Sequence, residues 1–383
     1  MSVTKSAFGA TTALVLGTLS AQAGGIERSG FNPGFLFEKG NWVELSFGSV
    51  SPSVSGTQAI PTGAPFPALP AGGSSGDMAP RYTTVAGALK FQLNDQWAIG
   101  VVVDQPLGAD VDYGAATYLY GVGLGSTAEI NSLGVTVLAH YRFDERTSVY
   151  GGIKSETVEG RVALFNGYTM NSSKEQDFGF VLGAAYEIPE IALRVALTYT
   201  SEIEHDFTAQ EFLPAPGPGA ITTNFTTVTP QSLALDFQTG IAENTLMFGS
   251  VKWRDWSNFA IRPTGFAGAT GGSALVSYAN DTITYTLGVG RRFSETWSGA
   301  VFVSHEASQG GFSGNLGPTD GYTSVGLGAT YTQDNMKITG GVTYAMIGDA
   351  VTEAPSPAPA GTTFGRFTDN SLIGVGVKVG WSF

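Results

Sequence analysis

Ser371-Leu-Ile-Gly-Val-Gly-Val-Lys-Val-Gly-Trp-Ser-Phe383 alternates with a period of two. Ile373, Val375, Val377, Val379, Trp381 and Phe383 fall on one face, all bulky and apolar. Leu372, Gly374, Gly376, Lys378, Gly380 and Ser382 fall on the other, mostly small and holding the one charge. Successive side chains of a strand point to opposite faces. An apolar face ending in aromatics, backed by a small polar face, suits a strand with lipid on one side and a wet lumen on the other.

The same rhythm runs back along the chain. It first appears at 42–51, where Val43, Leu45 and Phe47 oppose Trp42, Glu44 and Ser46. It recurs at 80–93, 97–103, 129–143, 146–155, 175–187, 190–202, 229–241, 244–256, 281–293, 296–305, 320–332 and 335–347. With the C-terminal stretch this makes fourteen strands. Six of the connections are short, such as Asn94-Asp95-Gln96 and Asp144-Glu145. Seven are long, among them 52–79, 203–228 with Pro214, Pro216 and Pro218, and 348–370 with Pro355, Pro357 and Pro359. Short turns at one end and long loops at the other, with an even strand count, predict an all-β, fourteen-stranded antiparallel transmembrane β-barrel. Trp97, Trp297, Trp381 and Phe383 sit at the short-turn ends, where an interfacial aromatic girdle belongs.

Composition fits that architecture. Of 383 residues, 53 are Gly and 13% are charged, and no stretch after the N-terminal region reaches the length of a membrane helix. There is no Cys, which excludes disulfides, thiolate nucleophiles and Cys metal sites. The net charge of -13 and the lack of a basic stripe argue against a nucleic-acid partner. Lys5, the apolar run 7–19 and Ala21-Gln22-Ala23 read as a secretory signal peptide over 1–23. Residues 24–40 form a short N-terminal plug segment, and 41–383 form the barrel.

Several motifs resemble the FadL family of outer-membrane long-chain fatty-acid transporters. Ala185-Tyr-Glu-Ile-Pro189 leading into Leu197-Thr-Tyr-Thr-Ser-Glu-Ile-Glu-His205 is similar to that family's sixth and seventh strands. Lys252-Trp-Arg-Asp-Trp-Ser-Asn-Phe259 looks like its W-x-x-W-S segment. Asn94-Asp-Gln-Trp97 followed by Asp104-Gln-Pro-Leu-Gly108 resembles its second turn and the end of its third strand. Asn32-Pro33-Gly34 resembles its Asn-Pro-Ala motif, with Gly in place of Ala and a short stretch, 24–31, before it. The resemblance covers about 31–383 and implies Gram-negative outer-membrane transport of a fatty acid or another hydrophobic compound. It also implies an N-terminal hatch and a lateral wall opening at a kink in the third strand, here the region of Asp104, Pro106 and Gly108. The terminal Phe383 resembles the signature that directs such barrels to their assembly machinery.

Strand parity sorts the charges. Lys90, Arg142, Lys154, Arg194, Lys252, Arg254, Arg292 and Lys378 fall on the lumenal parity, against Glu44, Asp104 and Asp236. This predicts a basic lumen in an acidic chain. Arg pairs bidentately with carboxylates, so Lys154, Arg194, Lys252 and Arg254 are candidate ligand-binding residues. Filling the barrel by pairing with lumenal acids is the plain alternative for each. Phe207 and Phe212 in the fourth long loop are candidate apolar capture residues, the alternative being packing of loop on loop. Pro106 lacks the N–H of a ladder donor, so it marks a strand end or a break in the wall.

No Gly-x-Ser-x-Gly and no metal-spaced His pair occurs. The reading is therefore a monomeric transport barrel embedded in outer-membrane lipid, not an enzyme, with no metal and no cofactor. A general diffusion porin or a hydrocarbon-uptake channel is the alternative.

Overall fold

The computed structural model describes residues 25–114, 116–123 and 125–383; the expected signal peptide lies outside them. The barrel strands are β1 Trp42–Ser53, β2 Tyr82–Gln92, β3 Trp97–Asp104, β4 Thr127–Arg142, β5 Thr147–Ala163, β6 Glu175–Ile188 and β7 Leu193–Thr200. They continue as β8 Ser232–Ala242, β9 Thr245–Arg254, β10 Thr282–Arg292, β11 Trp297–Glu306, β12 Tyr322–Gln333, β13 Met336–Ile347 and β14 Ser371–Ser382. Each pairs with its sequence neighbour, and β1 pairs with β14 from Trp42↔Ser382 to Ser53↔Ser371. The sheet is thus closed, which leaves no edge to be satisfied in lipid.

The alternation in β14 has the predicted sense. Ile373 and Trp381 are 51% and 48% exposed on the outer wall, while Leu372 is 1% exposed inside. Outer aromatics pair at the short-turn end, Trp97 with Tyr141 at 4.7 Å and Trp297 with Tyr331 at 5.1 Å. Two of the tight turns contain left-handed residues, Asn244 at φ 56° and Asp334 at φ 52°, a backbone that Asn and Asp tolerate.

The long-loop end corrects one expectation. Residues 203–228 are mostly not loop: Ile203–Leu213 and Gly219–Thr229 form a hairpin paired from Ile203↔Thr229 to Leu213↔Gly219. The three prolines occupy only its tip, and the Thr-rich return strand carries the period-two pattern. β5 likewise runs on to Ala163, and Thr169–Ser172 joins it to the hairpin. Segments from around the rim share one core containing Tyr113, Tyr118, Phe364 and Phe367. Phe367 is fully buried, so Phe367→Ala is expected to destabilise this cap by about 3–5 kcal/mol. Earlier proteolysis of the rim segments, with the barrel itself intact, is the result to look for.

Much of 26–37 is buried inside the barrel. Asn32 accepts a hydrogen bond from Gly34 N at 2.7 Å and starts a 3-10 turn, Pro33–Phe37, with Pro at its first position. Phe35, Leu36 and Phe37 are buried against Val102, Leu138, Tyr150 and Ala196 of the wall. Each contributes about 1.5–3 kcal/mol of burial. Gly100 makes room for them, since a Cβ there would meet Phe35 and Leu36. Lys337 pairs with Glu38 at 2.9 Å, and Lys90 donates to the Glu38 carbonyl at 2.6 Å.

Candidate transport site

The wall is interrupted where β3 meets Pro106. β3 pairs with β2 from Gln92↔Ala98 to Gly87↔Val103. It pairs with β4 as far as Asp104↔Gly134, and the chain resumes at Gly108–Asp112, paired with β4 alone from Gly108↔Asn131. Four residues of the third strand thus span three of β4, a bulge that bends the strand. Among the described residues no ladder joins 82–86 of β2 to the bent strand. Across that interval Gln105 Oε1 accepts from Val85 N at 3.2 Å, and beyond it Asp112 N donates to Met78 O at 3.0 Å. Ser132 holds the bend from the other side, its hydroxyl bonding both Leu107 N and Leu107 O, at 2.8 and 2.6 Å. The predicted exit region is therefore a gap between β2 and β3. Asp104 sits just below it, buried and accepting from Ser29 Oγ at 3.0 Å.

Inside the bend at Leu107, against β4 and β5, lies an almost wholly apolar cavity of about 60 Å³, lined by Ile26, Leu107, Ile130, Val158, Phe207 and Phe259 among others. Phe207 stacks on Phe225 at 5.1 Å. Phe212, 45% exposed, faces outward and does not line this cavity. A second cavity, of about 230 Å³, lies between the N-terminal segment and the wall β7–β13. Its lining is mixed, with Ser250, Thr284, Thr286 and Ser304 alongside Arg194, Asp236 and Glu306 but also Phe31, Phe248 and Phe302, and it includes Asn32 and Pro33.

The lumenal cations are largely neutralised by acids that parity counting left out. Lys154 pairs with Glu156 at 2.5 Å; both are buried. Glu156 also accepts from Thr229 Oγ1 at 2.7 Å, and His205, buried beside it, bonds Asp177 at 2.8 Å. Lys252 and Arg254 both pair with Glu27 of the N-terminal segment, the latter at 3.3 Å. Burial alone raises the Glu27 carboxyl, but the charges of Arg254 and Lys252 outweigh it and hold it below its ordinary value. This ion cluster therefore persists as the pH falls through the usual carboxylate range and is lost only below it. Lys378 pairs with Glu44 at 3.5 Å. Arg194 lies over the Phe37 ring at 4.5 Å and donates to Gln238 at 3.1 Å. The expected basic excess is thus offset by Glu27, Glu38 and Glu156. Glu156 shares the parity of Lys154 two residues away, a signal present in the sequence. Glu27 and Glu38 come from outside the strands, where parity says nothing.

A closed outer-membrane barrel with an interrupted wall and an apolar cavity behind the interruption defines a membrane transport protein. The chain belongs to the family described as outer membrane protein transport protein (OMPP1/FadL/TodX), whose model matches residues 3–383. Its fold is similar to a Pseudomonas aeruginosa FadL homologue, with TM-score 0.73, 14% identity and coverage of 96% of this chain and 97% of that one. It is also similar to the Pseudomonas putida toluene transporter TodX, with TM-score 0.62, 13% identity and 94% and 96% coverage. The Ralstonia pickettii toluene transporter TbuX gives TM-score 0.61, 13% identity and 91% and 90% coverage. Among curated proteins, none matches the sequence.

Proposed function

We propose that this barrel passes small, uncharged hydrophobic molecules from the extracellular side through the apolar cavity and out sideways between β2 and β3. The observation that carries the reading is the apolar cavity lined by Leu107, Ile130, Val158 and Phe207, together with the pairing of Lys154, Lys252 and Arg254 with Glu156 and Glu27 elsewhere in the lumen. Such a cavity rewards apolar surface and offers a carboxylate no unengaged cation. The toluene transporters of the same fold support it.

Long-chain fatty acids are the second reading. Arg254 favours it, because its Nε and Nη1 are buried without a hydrogen-bond partner among the described residues. Lys252→Ala and Arg254→Ala combined with Glu27→Ala, which leaves no unpaired buried carboxylate, separate the two. Fatty-acid binding to the purified barrel is expected to change less than about threefold and toluene binding not at all. A fall of about tenfold or more in fatty-acid binding alone would shift the reading to the carboxylate ligand.

The same proposal includes a monomer made with a cleaved signal peptide in a Gram-negative cell. Residues 24–40 act in it as the plug, and Phe383 is read by the barrel assembly machinery.

A further inference from the structure

The larger cavity is backed by a wall that changes chemistry in three registered rows. In the first, Phe248, Gly288, Phe302, Gly326 and Thr343 lie opposite one another across β9 to β13. A Cβ on Gly288 would meet the Phe248 ring at 2.4 Å, and one on Gly326 would meet the Phe302 ring at 2.0 Å. Each ring thus lies over the glycine of the next strand, and the two form an aromatic shelf. The second row, two residues further along each strand, is Ser250, Thr286, Ser304 and Ser324. The Thr286 and Ser304 hydroxyls are 2.9 Å apart. The third row is Lys252, Thr284, Glu306 and Tyr322. Rows two residues apart are separated by about 7 Å. Phe31 and Phe37 of the N-terminal segment face these rows across the cavity.

Two buried oxygens of this wall have no hydrogen-bond partner among the described residues. Thr343 Oγ1 is in the aromatic row and Glu306 Oε1 in the charged row, on residues 3% and 5% exposed. Glu306 uses only its other oxygen, which accepts from Thr284 Oγ1 at 2.8 Å. Among the described residues, none that lines the apolar cavity holds such an oxygen. At about 230 Å³ the larger cavity exceeds the 150 Å³ or so that holds benzene. Glu306 and Asp236 oppose an anion there, and Lys252 and Arg194 oppose a cation. We propose that this cavity is a second binding site, which takes a neutral aromatic molecule carrying a hydroxyl, a phenol. The ring rests on Phe248 and Phe302. The hydroxyl enters the Ser/Thr row, which Thr343 Oγ1 and Glu306 Oε1 bracket from below and above. A hydrocarbon in this cavity would seal both oxygens from water and bond neither. The two cavities thus sort ligands by a single oxygen atom. This site goes beyond the hydrocarbon route and does not depend on it.

The probe is para-cresol, which is toluene with one added hydroxyl. The purified barrel is expected to bind it equally well with and without saturating toluene. Thr343→Val combined with Glu306→Gln is expected to weaken para-cresol binding about tenfold or more and to leave toluene binding within about twofold. Gly326→Ala, whose Cβ drives the Phe302 ring into the cavity, is expected to weaken para-cresol to a similar extent, about tenfold or more. A soak of the unaltered barrel in para-bromophenol needs no variant to fold. Bromine density beside Phe248 and Phe302 is the expected result, and bromine confined to the apolar cavity would overturn the proposal. Para-cresol that toluene displaces and that ignores both variants would mean that phenols share the hydrocarbon's cavity, and the second site would be wrong while the hydrocarbon reading stood. Para-cresol bound as expected by a barrel that takes no toluene would sink the hydrocarbon reading alone.

Discussion

Deleting residues 25–31 is expected to raise the ionic conductance of the barrel in a planar bilayer by about tenfold or more. The reason is the double attachment of this short stretch. Glu27 reaches Lys252 and Arg254 on β9, while Arg28 reaches Tyr82 on β2 and Asp110 beyond the bend. Its removal would widen the larger cavity, which carries a row of Ser and Thr hydroxyls along one side. Ions follow such a hydroxyl-lined path readily, whereas they are excluded from the apolar cavity. The turn at Pro33–Phe37 and its burial would remain, so the barrel is expected to fold. Unchanged conductance would mean that the packed rim segments do the sealing.

The second large effect is expected from Val158→Asn. Val158 is 8% exposed, faces inward on β5 and lines the apolar cavity. Asn fills a similar volume but brings an amide that finds no partner among Leu107, Ile130 and Phe207. An unpaired buried amide costs about 1–3 kcal/mol, and a ligand that seals it from water incurs that cost on binding. At 1.4 kcal/mol per decade, toluene binding should weaken by about 5–140-fold. Binding measured on the purified barrel checks this, with heat-modified gel migration as the folding control. An unchanged affinity would place the ligand elsewhere in the lumen.

The fold was largely legible because a barrel strand must show two different faces to two different solvents. That constraint wrote the period-two pattern into all fourteen strands, and Ile373 to Phe383 displays it plainly. It fails at the rim, where both faces of a strand can be polar or covered by other segments. Hence Gly219–Thr229 was hidden behind Pro214, Pro216 and Pro218 although it alternates as regularly as β14. The bend in the third strand was readable from Pro106, because a missing N–H has a fixed consequence in a ladder. The partners of the lumenal cations were not. Glu27 lies 225 residues from Lys252, and Arg28 lies 82 from Asp110. Only the closing of the barrel around its own N-terminus brings them together. A Glu-Arg pair in a glycine-rich stretch just after the predicted cleavage site was the one available hint.

The central claim, that an uncharged hydrophobic ligand occupies the cavity behind the gap, is tested most directly by a crystal of the barrel soaked in bromobenzene. The account predicts anomalous density for bromine among Leu107, Val158 and Phe207, with Ile26 displaced. Density confined to the larger, mixed cavity beside Arg194 and Asp236, with the apolar cavity still closed, would contradict it.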